Sequence, residues 1–278
     1  MIRVNDEIIN IEHFPDGTQR LRINDLVKSR NYNIRWIYEK EEELSTLIYI
    51  TRHLRNNPWT KSVRLTIDYL PNARMDRIVN MEEVFTLKGF TDVINWLNFD
   101  FVNVLDVHSN VGAALLNNVI IDSAKACIND AIRQIELNEK CEELVLYFPD
   151  AGAYKRYADM FPNYKSCYGE KKRDWNTGKI LGLEIKTNGI DLTGKTVLMI
   201  DDIVAYGGSL YYSSLELKNH NAGKIYAYTT HTENSVLDRE KGTLIKSLED
   251  GTVEKLFTTD SLFTGKHEKI EVMELYEN

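Results

Sequence analysis

Val197-Leu198-Met199-Ile200-Asp201-Asp202-Ile203-Val204-Ala205-Tyr206-Gly207-Gly208-Ser209 joins an apolar run to two adjacent carboxylates and then to a glycine pair. With Thr196 in front, the run Thr196 to Ile200 is short, β-branched-rich and nearly continuous in its apolar character. That is the pattern of a strand covered on both faces, as in a parallel sheet flanked by helices. The glycines after the acids read as a turn that opens a helix over Leu210 to Lys218. In open α/β sheets, ligands bind beyond the carboxyl ends of the strands, where Asp201 and Asp202 fall. Glycines let backbone N–H groups approach an anion, and a helix N-terminus favours phosphate. Carboxylates beside such a cradle suit sugar hydroxyls or hydrated Mg²⁺. The plainer alternative is an ordinary strand-to-helix turn with solvated acids, and short glycine motifs alone do not decide between them.

Outward from this stretch, strand-like and amphipathic runs alternate along the chain. Val63 to Ile67 alternates apolar and polar residues and reads as a strand, preceded by helical spacing over Glu42 to Leu54. A helix is expected over Leu87 to Leu97, a strand over Phe101 to Leu105 and a helix over Ser123 to Leu137. A strand over Leu144 to Phe148 follows, then a short helix over Lys155 to Phe161 and a polar segment from Gly169 to Gly178. Ile225 to Thr229 reads as a further strand. Such alternation favours α/β layers over a sandwich or a bundle. The chain has 278 residues, and at about 150 residues per domain two domains are expected. Their boundary falls best near Ile121 to Ser123.

The composition, 43% hydrophobic and 27% charged with 15 glycines and 5 prolines, excludes collagenous, disulfide-scaffold and largely disordered chains. A net charge of -8 and a pI near 5.4 disfavour general nucleic-acid and anionic-membrane binding. Cys127, Cys141 and Cys167 have no metal-ligand spacing and are odd in number, which points to thiols in a reducing compartment. Met1 to Asn10 carries Arg3, Asp6 and Glu7 and does not read as a signal peptide. A cytoplasmic location is therefore expected.

The Asp201 to Ser209 segment resembles the ribose-phosphate motif of type I phosphoribosyltransferases and of ribose-phosphate pyrophosphokinases (PRPP synthetases). Further segments follow in the order of the second family. Phe14-Pro15-Asp16-Gly17-Thr18 resembles its F-S-D-G-E loop, and Asp68 to Arg77, ending Ala73-Arg74-Met75-Asp76-Arg77, resembles P-Y-x-Y-A-R-Q-D-R. Val104 to Ser109 looks like M-D-L-H-A, Pro149 to Arg156 like P-D-x-G-G-x-x-R, and Glu170-Lys171-Lys172-Arg173 like D-K-R-R. Tyr228-Thr229-Thr230-His231 and Thr259-Asp260-Ser261 resemble A-T-H-G and T-D-T. Each has a bland reading alone: a turn, a surface ion pair, a structural histidine, a helix cap, a solvated basic patch.

The resemblance implies an α/β chain of two tandem type I phosphoribosyltransferase-like domains with mainly parallel sheets. Residues 1–121 would form the ATP side and 122–278 the ribose-phosphate side. It implies ATP binding by Arg74, Asp76, Arg77 and His108, with Phe14 and Asp16 reaching a neighbour's adenine, hence a homo-oligomer with a shared ATP site. Asp150, Asp201, Asp202, Tyr206, Gly207, Gly208 and Ser209 would bind ribose phosphate, His108 and Asp150 would lie at the Mg²⁺ site, and Lys171, Arg173 and His108 would be catalytic. The expected reaction moves the diphosphoryl group of ATP to ribose 5-phosphate, a step of nucleotide biosynthesis. The alternatives are a phosphoribosyltransferase that consumes PRPP, or a catalytically silent regulatory homologue.

The chain departs from the family at three places. Ala205-Tyr206-Gly207-Gly208-Ser209 stands where D-T-A-G-T is usual, so a carboxylate becomes a methyl and a threonine a tyrosine. The segment after Arg77, Ile78 to Glu83, is not basic; Thr18 replaces a glutamate and Met75 a glutamine. Phage-type relatives are thought to use ADP-ribose, in NAD metabolism, which makes ADP-ribose the rival acceptor.

Overall fold

The computed structural model describes residues 1–23, 29–139, 143–173 and 180–276, with only the backbone described at 171–173 and 180–181. The chain divides into two compact units, Met1–Ser123 and Ala124–Asn278.

The first unit runs β1 (Ile2–Val4), β2 (Glu7–Ile8), β3 (Ile11–His13), β4 (Gln19–Leu21), β5 (Asn31–Trp36), α1 (Glu43–Asn56), β6 (Ser62–Ile67), α2 (Thr86–Leu97), β7 (Val102–Leu105), α3 (Asn110–Leu115) and β8 (Val119–Asp122). Its six-stranded sheet has the order β2-β1-β5-β6-β7-β8, and β3 and β4 form a separate hairpin. Strands β5 to β8 are parallel, whereas β1 and β2 join antiparallel. In α2 the buried residues Leu87, Phe90, Thr91, Ile94 and Leu97 recur at helical spacing, giving one apolar face. The helix stops at Asn98, whose φ of 56° is left-handed, a conformation asparagine tolerates better than most residues.

The second unit continues with α4 (Lys125–Glu139), β9 (Leu144–Phe148), α5 (Ala151–Tyr157), β10 (Lys165–Arg173), β11 (Ile180–Lys186), β12 (Thr196–Val204), α6 (Gly208–Asn219), β13 (Ile225–Thr232), α7 (Leu244–Asp250), β14 (Leu256–Thr259) and β15 (Ile270–Met273). The sheet order is β11-β10-β9-β12-β13-β14-β15. All pairs are parallel except β10 with β11. The continuous apolar run of β12 has a simple cause. Val197 and Met199 enter one core, with Val145 and Tyr147 of β9, while Leu198 and Ile200 enter the other, with Leu146 and Phe148. Both faces are covered, so neither residue parity is polar.

Two expectations shift. The helix expected over Lys155 to Phe161 starts earlier, at Ala151, because Asp150 caps it, and closes with a 3₁₀ turn over Ala158–Met160. The polar segment from Gly169 begins as strand: β10 runs on to Arg173 by pairing with β11, which supplies its backbone hydrogen bonds whatever its side chains. Cys127 and Cys167 are free thiols; Cys167 is buried, which pushes its thiol up to about 12, and Cys141 lies outside the described residues. Among the described residues no helix is long and apolar enough to cross a membrane.

Candidate functional site

In the first unit, β6 and β7 are parallel neighbours with Ile67 opposite Val104. The chain therefore leaves both strands at one edge of the sheet, β6 into Asp68–Arg77 and β7 into Asp106–Ser109. Asp68, at the start of the first loop, is buried and takes Nε and Nη2 of Arg35 on Oδ2 at 2.9 and 2.7 Å. Asn72 and Asp106 turn the loops through left-handed backbone, φ 64° and 44°. The loops meet over α3: a Cβ at Gly112 would lie 2.8 Å from Val107 Cγ1 and 2.9 Å from Leu70 Cδ2. Glycine at 112 thus lets the Arg74–Arg77 loop and the His108 loop pack together.

On this base Arg74 and Arg77 are exposed and His108 is half-buried. Arg77 Nε lies 3.2 Å from Asp76 Oδ1. Such a surface pair contributes roughly 0–1 kcal/mol, so the guanidinium can exchange partners for a phosphate at little cost. Beyond it, Glu83 accepts the N–H groups of Val79 and Asn80 at 2.8 and 3.3 Å, which folds the non-basic segment into a turn and holds the Glu83 carboxyl below the usual range. Phe14 and Asp16 lie apart, at the tip of the β3–β4 hairpin. Asp16 Oδ1 accepts the Thr18 hydroxyl at 2.7 Å and the Thr18 N–H at 3.0 Å, which lowers its pKa. Thr18, where the family has glutamate, closes this turn.

In the second unit, β9, β12 and β13 are consecutive parallel neighbours. Asp150 follows β9, and its Oδ1 accepts the N–H groups of Gly152 and Ala153 at 2.9 and 3.0 Å as the N-cap of α5. Asp201 and Asp202 lie within β12, which runs on to Val204 rather than stopping at Ile200 as expected, because Ile203 and Val204 keep pairing with His231 and Thr232 of β13. The Asp201 carboxyl is held well above the usual range, first by its desolvation and then by the charges of Asp202 and Asp150. Asp202 is buried and meets Arg156 of α5, with Nη1 3.3 Å from Oδ2. Three carboxylates and one guanidinium thus share the carboxyl end of β9 and β12. The Pro149 to Arg156 motif alone gives Arg156 no role; the phase of α5 brings it back to Asp202.

After β12 the chain turns sharply. Gly207 has φ +88°, and a Cβ there would stand 2.2 Å from Leu244 Cβ and 2.9 Å from Leu244 N. The Tyr206 carbonyl accepts Thr243 N at 2.7 Å and Thr243 Oγ1 at 3.0 Å, fixing the turn against α7. A Cβ at Gly208, by contrast, would meet nothing within 4 Å, so the backbone opening α6 faces open space, and Ser209 beside it is exposed. The Tyr206 ring is 41% exposed, with Lys241 Nζ 6.0 Å from its centre.

Strand β13 is buried throughout and lined with hydroxyls. Asp201 is in register with Thr229. The Thr229 and Thr232 hydroxyls lie 2.7 Å apart, His231 Nδ1 and Ser261 Oγ share a 2.8 Å hydrogen bond, and Thr259 Oγ1 donates to Thr230 O at 2.6 Å. These bonds join the Tyr228–His231 and Thr259–Ser261 segments. Lys171 and Arg173 are in β10, with backbone opposite Leu183 and Ile180; their side chains lie outside the described residues.

The donors fit Mg²⁺ in part. Carboxylate oxygens crowded enough to raise Asp201 would be relieved by a hard cation. Among the described residues no group of three or more His, Cys, Asp or Glu side chains forms a cation cage. Mg²⁺ held by one or two carboxylates, water and substrate phosphates is consistent with both observations.

No family model matches the chain. The chain is 24% identical over 267 residues to the ribose-phosphate pyrophosphokinase of Sulfurisphaera tokodaii, covering 92% of this chain and 85% of that protein. It is 28% identical over 233 residues to that of Thermoplasma volcanium, covering 81% and 77%. The crystal structure of phosphoribosylpyrophosphate synthetase from Mycobacterium smegmatis matches with a TM-score of 0.76 at 16% identity, over 96% of this chain and 86% of that one. The chain is thus of the α/β class, two units with mainly parallel sheets, and shares its fold with the synthetase. Over most of its length the chain is similar in sequence to ribose-phosphate pyrophosphokinases, as the motifs led one to expect.

Proposed function

We propose that the protein transfers the diphosphoryl group of ATP to the anomeric hydroxyl of a ribose 5-phosphate-type acceptor, giving PRPP and AMP. The observation that carries this reading is the Asp150–Asp201–Asp202 cluster, beyond the end of β9 and near the end of β12, with four residues between Asp202 and the Gly207–Gly208 opening of α6. Acids suited to sugar hydroxyls thus stand next to backbone suited to phosphate.

In this reading the first unit is the ATP side. Arg74 and Arg77 take phosphate oxygens, Asp76 orients Arg77, and His108 lies beside them on the adjoining loop. Phe14 and Asp16 contact adenine from a neighbouring subunit, which makes the working form a homo-oligomer. The second unit holds the acceptor: Asp201 and Asp202 take the ribose hydroxyls, and Gly207, Gly208 and Ser209 face the 5′-phosphate. The anomeric oxygen attacks the β-phosphorus, the bond to the α-phosphate oxygen breaks, and AMP leaves. Lys171 and Arg173 neutralise charge on the transferring group, since phosphoryl-type transfer depends mainly on positioning and electrostatics. Mg²⁺, with Asp150 and His108 as protein-side partners, would supply charge neutralisation across the phosphates. A cytoplasmic setting, with no nucleic-acid or membrane partner, suits these substrates.

Tyr206 favours a second acceptor. Its exposed ring beside Lys241 offers a stacking surface and a cation where the family has a threonine, which suits an ADP-ribose 5′-substituent. The test is incubation with Mg²⁺ and ATP plus either ribose 5-phosphate or ADP-ribose, following AMP and the diphosphorylated sugar. Acceptor-dependent AMP is expected. AMP with ADP-ribose alone assigns the larger acceptor, and none with either sugar refutes the transferase reading.

A further inference from the structure

Strand β10 changes partners midway. From Lys165 to Tyr168 it pairs in parallel with β9, ending with Tyr168 opposite Phe148, and from Tyr168 to Arg173 it pairs antiparallel with β11. Gly169 is therefore the first residue of an arm that leaves the parallel sheet beside Pro149 and Asp150. Lys171 follows two residues later, about 7 Å further at the usual rise per strand residue.

Gly169 is buried, and its backbone is crowded. A Cβ there would stand 2.4 Å from the Tyr147 hydroxyl, 2.8 Å from the Pro149 carbonyl oxygen and 3.0 Å from Leu183 Cδ1. The Tyr147 hydroxyl is itself fixed, donating to Ser213 Oγ of α6 at 3.0 Å within the core. One phenol oxygen thus lies between the base of the arm and the helix that opens at Gly208. The leucine methyl can give way, but the tyrosine oxygen is held in a buried hydrogen bond and the proline carbonyl belongs to the backbone that delivers Asp150.

We infer that Gly169 and Tyr147 are positioning residues that set where the Lys171–Arg173 backbone stands relative to the Asp150 loop and α6. This rests on the reading that Lys171 and Arg173 act on the transferring group. Any side chain at 169 must displace the arm by roughly an ångström to reach ordinary contact, and a misplacement of that size costs on the order of 100-fold in rate. Tyr147→Phe removes the nearest obstructing atom while keeping the ring in its core.

The test compares Gly169→Ala, Tyr147→Phe, the double variant Y147F/G169A and Lys171→Ala in the full chain. Gly169→Ala is expected to lower kcat about 10–100-fold with the ATP KM within about twofold. The double variant is expected to recover part of that loss, since the Pro149 carbonyl oxygen still stands 2.8 Å from the new Cβ, although Tyr147→Phe alone gains nothing. Hydrogen exchange gives a readout independent of activity: amides of 169–173 and 182–186 should exchange faster in Gly169→Ala and return toward the parent in the double variant. Full activity and unchanged exchange in Gly169→Ala, or a loss that Tyr147→Phe does not relieve in either readout, overturns the positioning role. Full activity in Lys171→Ala instead overturns the underlying reading of the arm, and the exchange pattern then still decides whether Gly169 sets its backbone.

Discussion

The two units use the same device with opposite charge. In the first, loops beyond β6 and β7 present exposed cations, Arg74 and Arg77, on a base fixed by the buried Arg35–Asp68 pair. In the second, the loop beyond β9 and the last residues of β12 itself present crowded acids, with Asp201 raised by its neighbours and Asp202 met by Arg156. The parallel sheet supplies a place, the strand ends, and the residues there decide what fits. Exposed arginines suit a mobile, strongly charged polyphosphate. Buried and half-buried carboxylates suit hydroxyls and a cation, which reward fixed geometry.

The comparison extends to two left-handed glycines, and here the largest effect is expected. Gly207→Ala adds left-handed strain to a contact with Leu244 and should destabilise the protein by about 2–4 kcal/mol in urea or guanidinium unfolding. Gly17→Ala, at the β3–β4 tip, has φ +83° and nothing within 4 Å of the new Cβ, so about 1–2 kcal/mol is expected. Equal losses would remove packing as the distinguishing feature of the second loop.

Next in size, Asp202→Asn should lower kcat/KM for the sugar about 10–100-fold and leave ATP binding by calorimetry within about twofold. Arg77→Ala should do the reverse, raising the ATP concentration for half-saturation about 10-fold with the sugar KM unmoved. If either variant moves both substrates equally, the division of labour between the units fails.

The smallest effect is a pH dependence. The folded-state pKa of Asp201 is raised, so the folded protein binds the extra proton more tightly than the unfolded chain does. Stability from this group is full below the unfolded value, near 3.9, and is lost as pH rises through the folded one. Asp201→Asn should therefore raise Tm relative to the parent at pH 7 in the absence of substrates and cation, with the difference shrinking toward pH 4. A constant difference across that range would mean the carboxyl is not under electrostatic pressure. No matching effect is expected in the first unit for Asp16, whose pKa is lowered by Thr18.

Much of this was legible in sequence because the signals were local. The run over Thr196 to Ile200 announced a doubly covered strand, and the acids and glycines after it announced a strand-end site. Asp150 could be read as a cap because N-capping needs only a carboxylate and the next three residues. What stayed hidden depends on partners distant in the chain. Strands β10 and β11 are polar or interrupted, and their pairing follows from each other rather than from a buried face. Arg156 reaches Asp202 only through helix phase, and Tyr147 meets Gly169 across adjacent strands. Gly207 announced a turn, but Leu244, 37 residues later, decides that only glycine fits.

The contact between Tyr147 and Gly169 also carries a consequence for descent. Two positions 22 residues apart, one large and one without a side chain, fill a single volume. Position 169 cannot drift alone: a lineage that gains a methyl there must first give up the hydroxyl at 147, because the reverse order passes through a displaced arm. The order of substitutions is thus constrained by sterics, and among relatives of this chain a residue larger than glycine at the position of Gly169 should travel with a smaller one at the position of Tyr147.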